Sequence, residues 1–285
     1  MLISVDDVAA ALDPATRGED PPPVLLDVRW SLGGPPGWQT YLTGHLPGAV
    51  YVDLDTELAG HGEPTDGRHP LPSITALQRS ARRWGIDQDS PVVVYDGFGN
   101  LAAARAWWLL RWAGLTDVRL LDGALPAWRA AGLALQVDDV RPAPGSVRLT
   151  GGALPTLALG EVGDFATAAV LLDARAAERF EGLTEPVDPR AGHVPGARNV
   201  PTAGNLTEDG AFLPADRLRE RFAAAGALPG TRIGVYCGSG VTAAHEIAAL
   251  AVAGLDAELF PGSWSQWSNN DLPVATGARP VPDRP

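Results

Sequence analysis

Four short segments of this 285-residue sequence recur, in the same order, in its second half. The matching pairs are residues 24–29 with 170–175, 44–49 with 192–197, 92–95 with 233–236, and 123–128 with 262–267. Four blocks in one order predict a duplicated domain, and the copies are far too long for a solenoid repeat. Any fold proposed for this chain must therefore accommodate two similar units.

Each copy has the pattern of an α/β domain. A short apolar run ends at Asp-x-Arg and leads through a Gly- and Pro-rich loop to a second strand, a helix and a third strand. Residues 102–113 and their counterpart, residues 243–253, are the best helical segments. Short apolar strands that alternate with helical patterns are typical of parallel sheets covered by helices. We therefore predict two tandem α/β domains, each a parallel sheet flanked by helices.

The boundary between the copies is predicted from composition. Residues 138–152 contain two adjacent aspartates, two prolines, a serine and three glycines, which is typical of a linker. We predict an N-terminal domain over residues 1–140, a linker over residues 141–153 and a C-terminal domain over residues 154–285.

The charge pattern excludes several function classes. The net charge is −12, and all 22 basic residues are arginines. Without lysine there is neither a Schiff-base nucleophile nor a phosphate-loop lysine, and an acidic chain is a poor match for nucleic acid. No apolar run approaches the ~18 residues of a membrane helix, and the start lacks a signal peptide's pattern. We predict a cytoplasmic protein that binds neither membrane nor nucleic acid, and no metal or cofactor site.

The single cysteine, Cys237, is either an inert buried thiol or a nucleophile. It lies directly after a predicted strand and before a predicted helix, in a turn that contains two glycines. Such a turn can point several backbone N–H groups inward and favour an anion at its centre, and the thiolate is the nucleophilic form of cysteine. We predict that Cys237 is a nucleophile and that a backbone cradle holds its thiolate or persulfide. That cradle consists of Gly238, Ser239, Gly240, Val241 and Thr242.

The motifs CGSGVTA at residues 237–243, GHxPGA in both halves and GSWxxW at residues 262–267 resemble those of the tandem-domain rhodanese family. The sequence is most similar to the 3-mercaptopyruvate sulfurtransferase branch, and the resemblance covers nearly the whole chain. It implies two rhodanese-like domains and a Cys237 persulfide that carries sulfur from 3-mercaptopyruvate to a thiol or to cyanide. It also implies that the N-terminal domain is inactive, because Asp96 stands at the cysteine position.

The resemblance also implies roles for individual side chains. Arg179 and Arg190 match the two arginines that hold the substrate carboxylate, and a guanidinium fork suits that group. Ser239 is a second catalytic residue that can donate a hydrogen bond to sulfur or to the substrate carbonyl. His45 is a candidate proton relay, although residues 31–37 lack the acidic partner expected upstream of it. We expect Arg29 and Arg175, in the Asp-x-Arg pairs, to tie strand ends to neighbouring loops.

Two alternatives stay open at this point: a thiosulfate sulfurtransferase and a non-catalytic rhodanese-like binding module. Gly238 and Ser239 bring no charge to the loop, which favours a keto acid over the thiosulfate dianion. A chain with one cysteine has no resolving thiol, so the persulfide needs an external acceptor such as thioredoxin, a small thiol or cyanide.

Overall fold

The computed structural model describes residues 1–19 and 21–278. The chain divides into two compact units, each assembled from separate segments. Unit 1 contains Met1–His61, Leu71–Pro155 and Leu206–Leu213. Unit 2 contains Gly62–Pro70, Thr156–Asn205 and the described chain from Pro214 onward. The segment Gly62–Pro70, which we predicted to be part of the N-terminal domain, therefore folds with the second unit.

Unit 1 is built on a parallel sheet that has five strands among the described residues, in the order β1-β5-β4-β2-β3. The strands are β1 (Leu2–Ile3), β2 (Val24–Val28), β3 (Val50–Val52), β4 (Val92–Asp96) and β5 (Val118–Leu121). The helices are α1 (Val5–Leu12), α2 (Pro14–Arg17), α3 (Gly37–Tyr41), α4 (Leu54–Glu57), α5 (Ile74–Arg83), α6 (Ala103–Trp112) and α7 (Ala124–Ala130).

Unit 2 has a parallel sheet of four strands within its described residues, in the order β7-β6-β8-β9. The strands are β6 (Val170–Asp173), β7 (Arg198–Asn199), β8 (Ile233–Tyr236) and β9 (Glu258–Leu259). The helices are α8 (Leu159–Ala168), α9 (Ala177–Phe180), α10 (Ala215–Ala224), α11 (Thr242–Val252) and α12 (Ser263–Ser268), with 3-10 turns at Pro64–Asp66 and Thr202–Asn205.

The two sheets have the same topology once the edge strand β1 is set aside. The order β3-β2-β4-β5 in unit 1 corresponds to β7-β6-β8-β9 in unit 2. The central strands β4 and β8 are buried along their whole length, as expected for parallel strands covered on both faces. The predicted fold class, tandem α/β domains with helix-flanked parallel sheets, is confirmed.

The Asp-x-Arg pairs hold strand ends to loops in both units. Nε of Arg29 donates to Asp27 at 2.5 Å, and its Nη2 donates to the carbonyl of Gly44 at 2.9 Å. Arg175 repeats this arrangement with Asp173, at 2.6 Å, and with the carbonyl of Gly192, at 2.7 Å. Although burial alone would lower the pKa of Arg175, the Asp173 carboxylate raises it above its usual value. The expected role of both arginines is confirmed.

The segment predicted as a linker, residues 141–153, contains no helix or strand but is fixed to unit 1 by its backbone. Val147 is fully buried, and its N–H donates to the carbonyl of Ile86. The N–H groups of Gly145 and Thr150 donate to the carbonyls of Arg82 and Ala113. Linker composition therefore marks a packed connection here, and not a freely moving one.

A buried polar network lies along α11 in unit 2. Oε2 of Glu246 accepts a hydrogen bond from Nδ2 of Asn205 at 2.6 Å, and Oδ1 of Asn205 accepts one from Nε of Arg221 at 3.0 Å. Oε1 of Glu246 is buried and has no hydrogen-bond partner among the described residues. Burial raises the pKa of Glu246 from 4.5 to about 7, because removal from water penalises the charged form.

We expect Glu246→Gln to flatten the pH dependence of stability. Because the folded pKa of Glu246 lies above the unfolded value, its contribution is fully present below about pH 4.5 and is lost as pH rises through about 7. A shift of this size corresponds to roughly 3 kcal/mol at most. Urea unfolding of the wild type and of Glu246→Gln between about pH 5 and about pH 8 gives the unfolding free energy of each. In the difference between the two free energies, the contributions of other titratable groups cancel. Parallel curves for the two proteins would contradict the assignment.

Candidate active site

Cys237 lies between the end of β8 and the start of α11. Gly240, in the turn between them, has a φ of 79°, a left-handed conformation that glycine adopts without strain. The backbone N–H of Gly240 donates to Sγ of Cys237 at 3.1 Å. The cysteine is 1% exposed, so its sulfur lies at the base of the loop and not on its surface. The local geometry suits a buried sulfur anion that is solvated by backbone amides.

The matching loop of unit 1 provides an internal comparison. Its carboxylate, that of Asp96, accepts hydrogen bonds from the backbone N–H groups of Phe98, Asn100, Ala102 and Ala103, at 2.9, 2.9, 2.9 and 3.3 Å. Burial raises the pKa of Asp96 to about 6, while these four N–H groups oppose the rise. A strand-turn-helix junction of this kind thus gathers several backbone N–H groups around one acidic side chain. In unit 1 that position is permanently filled by a carboxylate.

Ser239, two residues after the cysteine, contacts a histidine that is distant in sequence. Nδ1 of His69 lies 2.7 Å from Oγ of Ser239, and both side chains are buried. Both residues belong to unit 2, because His69 is part of the segment Gly62–Pro70. The hydroxyl next to the cysteine is therefore coupled to an imidazole, a group that can exchange protons near neutral pH.

Two arginines and two carboxylates surround the same loop. Nη1 of Arg68 donates to Asp188 at 2.7 Å, and Nη2 of Arg179 donates to Glu185 at 2.6 Å and to Asp188 at 3.3 Å. Burial raises the pKa of Asp188, and the guanidiniums of Arg68 and Arg179 oppose that rise. The carboxylates fix the planes of the two guanidiniums.

The remaining donors of these arginines point at the residue after the cysteine. A Cβ atom built on Gly238 would lie 3.4 Å from Nη2 of Arg68 and 3.4 Å from Nη1 of Arg179. Neither nitrogen has a hydrogen-bond acceptor among the described residues, and Nε of Arg68 is buried and also lacks one. Unused guanidinium donors beside a small residue have the chemistry to bind a small anion.

The structure uses two of the predicted site residues differently. Both ring nitrogens of His45 face backbone carbonyls, those of Leu46 and Asp138, at 2.9 Å, and the ring stacks on Tyr41. His45 is a buried turn residue of unit 1, and the histidine that contacts Ser239 is His69, so the relay through His45 stays a prediction and His69 is a second candidate for it.

Arg190, the second predicted carboxylate ligand, is partly engaged elsewhere. Its Nη1 donates to the carbonyl of Leu272 at 2.8 Å, and its own carbonyl accepts a hydrogen bond from Trp264 at 2.9 Å. Arg179 lies beside the loop, and its neighbour there is Arg68, for which no motif in the sequence indicates a role.

No cluster of three or more histidine, cysteine, aspartate or glutamate side chains with suitable geometry occurs in residues 1–19 and 21–278. None of the helices in that part of the chain is both long and apolar enough to cross a bilayer.

Sequence comparison agrees with this geometry. The sequence model of the rhodanese-like domain matches the chain twice, over residues 12–131 and 160–270. The chain belongs to the rhodanese family. Its two family matches lie on the two sheets, and the second contains the Cys237 loop. The Cys237 loop therefore lies in the second of the two rhodanese-like matches, in unit 2.

Individual relatives span almost the whole of this rhodanese. The putative thiosulfate sulfurtransferase SseB of Mycobacterium tuberculosis is 52% identical, over 90% of this chain and 92% of the relative. The probable 3-mercaptopyruvate sulfurtransferase of Pseudomonas aeruginosa is 44% identical, over 92% and 95%. The crystal structure of the 3-mercaptopyruvate enzyme SseA from Escherichia coli superposes with a TM-score of 0.79 at 31% identity, covering 92% of this chain and 98% of that one. The protein is a sulfurtransferase that takes sulfur from a small donor and delivers it to an acceptor.

Proposed function

We propose that this rhodanese transfers sulfur from 3-mercaptopyruvate to an external thiol through a persulfide on Cys237. The observation that carries the proposal is the pair of unused guanidinium donors beside Gly238, supplied by Arg68 and Arg179. A keto acid can place its carboxylate on this pair while its sulfur reaches Cys237. The loop residues Gly238 and Ser239 leave room for the intervening carbons, because they are small.

The first half-reaction moves the sulfur and leaves pyruvate. The Cys237 thiolate attacks the thiol sulfur of the donor, an S–S bond forms, and the bond between sulfur and C3 breaks. The electron pair of that bond passes to the keto acid as its enolate. The donor's thiol proton leaves the new persulfide, and one proton is taken up at C3, so that pyruvate and a persulfide anion result and the proton balance closes.

Ser239 and His69 are placed to serve this step. The negative charge of the enolate develops on the carbonyl oxygen next to C3, where a hydroxyl donor stabilises it. Oγ of Ser239 is 2.7 Å from Nδ1 of His69, so the imidazole can resupply the proton that the hydroxyl donates. The persulfide anion that remains is stabilised by loop amides, of which the N–H of Gly240 already contacts Sγ at 3.1 Å.

The second half-reaction requires a nucleophile from outside the chain, because Cys237 is its one cysteine. An acceptor thiolate attacks the outer sulfur, becomes a persulfide itself and releases the Cys237 thiolate. Thioredoxin or a low-molecular-weight thiol fits this chemistry, and cyanide would leave as thiocyanate. We further propose that the protein works in the cytoplasm, where reducing conditions keep such acceptors available.

Thiosulfate is the second candidate donor, and one observation favours it. Arg68 supplies a positive charge that the loop itself lacks, and a sulfonate could occupy the same two guanidiniums. The Mycobacterium tuberculosis relative is named for this activity. The nearby carboxylates of Asp188 and Glu185 offset part of that positive charge, which favours the singly charged keto-acid carboxylate over a dianion.

We expect kcat/KM for 3-mercaptopyruvate to exceed that for thiosulfate by about tenfold or more. Only the keto acid has a carbonyl to which Ser239 can donate, and one such hydrogen bond of about 1.4 kcal/mol provides this factor. Steady-state kinetics with both donors and one common thiol acceptor measures the ratio. A mercaptoketone that lacks the carboxylate is the matched control and should be used as poorly as thiosulfate. A preference for thiosulfate would make thiosulfate sulfurtransferase the correct description.

A further inference from the structure

Ser263, in the GSWxxW motif, has a strained backbone and a fully used hydroxyl. Its φ is 54°, in the left-handed region that costs a residue with a Cβ about 1–2 kcal/mol. The side chain is fully buried. Its Oγ accepts the backbone N–H of Cys237 at 3.1 Å and donates to the carbonyl of Phe260 at 3.0 Å. A strained residue thus contacts the peptide of the nucleophile directly.

The two residues after Ser263 bind the same stretch of backbone. The N–H of Trp264 donates to the carbonyl of Cys237 at 3.0 Å, and the N–H of Ser265 donates to the carbonyl of Gly238 at 2.8 Å. Three hydrogen bonds therefore hold one N–H and two carbonyls at the start of the loop. These bonds fix both carbonyl oxygens at the start of the loop in which the N–H of Gly240 faces Sγ.

Unit 1 has a residue in the same left-handed conformation at this position but without the hydroxyl, although the glycine before it differs: Gly123 has a φ of 77° and Gly262 a φ of −67°. Ala124 occupies the position of Ser263, follows Gly123 as Ser263 follows Gly262, and has a φ of 53°. The left-handed conformation at this position is thus also adopted by alanine. The loop that this turn serves carries the fixed carboxylate of Asp96 and no nucleophile. The hydroxyl is therefore associated with the cysteine loop and is not needed for the left-handed conformation itself.

We propose that Ser263 is a positioning residue, which holds the Cys237 peptide so that the sulfur stays against the loop amides. The proposal rests on Cys237 as the nucleophile, and it is independent of which sulfur donor the enzyme prefers. Loss of the hydroxyl would leave a buried N–H without its acceptor and would loosen the loop. The thiolate would then have fewer well-aligned N–H groups around it.

The test measures how fast iodoacetamide alkylates Cys237 in the full chain, without any sulfur donor, from about pH 5 to about pH 9. For Ser263→Ala we expect the pH profile of alkylation to move about half a unit to one unit higher, the equivalent of one neutral hydrogen bond. With a sulfur donor, kcat should fall by about threefold to tenfold, while KM changes little. A residue that only shapes the turn would not move the pH profile.

Two further variants separate the hydroxyl from backbone strain. Ser263→Gly removes the hydroxyl but relieves the left-handed strain, so it should shift the pH profile as Ser263→Ala does, with a smaller loss of stability. Ser263→Thr keeps the hydroxyl but adds a branch at Cβ, so it should lower the unfolding temperature and keep the wild-type profile. Ala124→Gly in unit 1 is the control and should leave the profile unchanged.

A wild-type profile in both Ser263→Ala and Ser263→Gly would overturn the positioning role. The positioning role would also be overturned if Ser263→Ala, Ser263→Gly and Ser263→Thr all shifted the pH profile in proportion to their loss of stability. Because alkylation uses no donor, a failure of the proposed donor preference would appear only in the kinetics and would leave this result unaffected.

Discussion

We expect Cys237→Ser to lose sulfur transfer from both 3-mercaptopyruvate and thiosulfate, with kcat/KM lower by roughly 10³-fold or more. A serine hydroxyl is far less acidic than a thiol and cannot hold sulfane sulfur, so neither half-reaction can proceed through it. The change is small, and the N–H of Gly240 keeps an acceptor, so the fold should be retained. Steady-state kinetics and a urea unfolding curve measure the two effects.

Intact mass after incubation with the donor, without acceptor, tests the same residue independently. The wild-type chain should gain the mass of one sulfur atom, and Cys237→Ser should gain none. Asp96→Asn is the matched control, at the equivalent position of unit 1. It should lower the unfolding free energy by about 1–3 kcal/mol, because an amide cannot accept all four N–H groups, yet still allow the sulfur gain. Turnover in Cys237→Ser, or a wild-type chain that gains no mass, would refute the persulfide.

The architecture was predictable from sequence because its signals are local or repeated. The runs at residues 24–28 and 170–173 are continuous apolar strands that end in the same ion pair, and the structure places both at the same position of their sheets. The glycines around Cys237 indicated the turn, because the left-handed backbone that Gly240 adopts is favourable mainly for glycine. Because the blocks occur in both halves, the strand assignments could be checked against each other.

The partners of the loop were not predictable in this way. His69 and Ser239 are 170 positions apart, and the two residues contact each other because Gly62–Pro70 folds with unit 2. Sequence continuity had placed that segment in the N-terminal domain, where neither repeat signal nor motif marks it. A fragment that begins at residue 154 would lack both His69 and Arg68 for this reason.

His45, the candidate that the sequence indicates, belongs to a repeated motif, and its counterpart His193 shows what that motif does. His193 stacks on Phe180 as His45 stacks on Tyr41, and both rings contact backbone carbonyls. A motif that is present both in the half with the cysteine and in the half without it is more informative about folding than about chemistry. The residues that differ between the halves are the ones to examine for chemistry: Cys237 against Asp96, and Ser263 against Ala124.

We expect Arg68→Gln and Arg179→Gln each to lower kcat/KM for 3-mercaptopyruvate by roughly tenfold to a hundredfold, since a charge-assisted hydrogen bond contributes ~1.5–3 kcal/mol. Each substitution removes one of the two guanidiniums beside Gly238 and keeps most of the side chain's length. Lysine at either position would keep the charge but lose the planar fork, so it should restore only part of the activity. Donor kinetics at saturating acceptor measures these effects.

The arginine variants also distinguish between the sequence-based and the structure-based carboxylate sites. Arg190→Gln should cost less than Arg68→Gln, because Nη1 of Arg190 is already bound to the carbonyl of Leu272. Arg217→Gln, on an exposed face of α10, is the control and should leave kcat/KM within about twofold, as surface pairs contribute little. If Arg190→Gln proved the most damaging and Arg68→Gln behaved like Arg217→Gln, the carboxylate would bind Arg179 and Arg190, as the family resemblance alone predicts. If Arg68→Gln instead reduced thiosulfate turnover far more than keto-acid turnover, Arg68 would be a residue for the sulfonate, and the donor preference would have to be reversed.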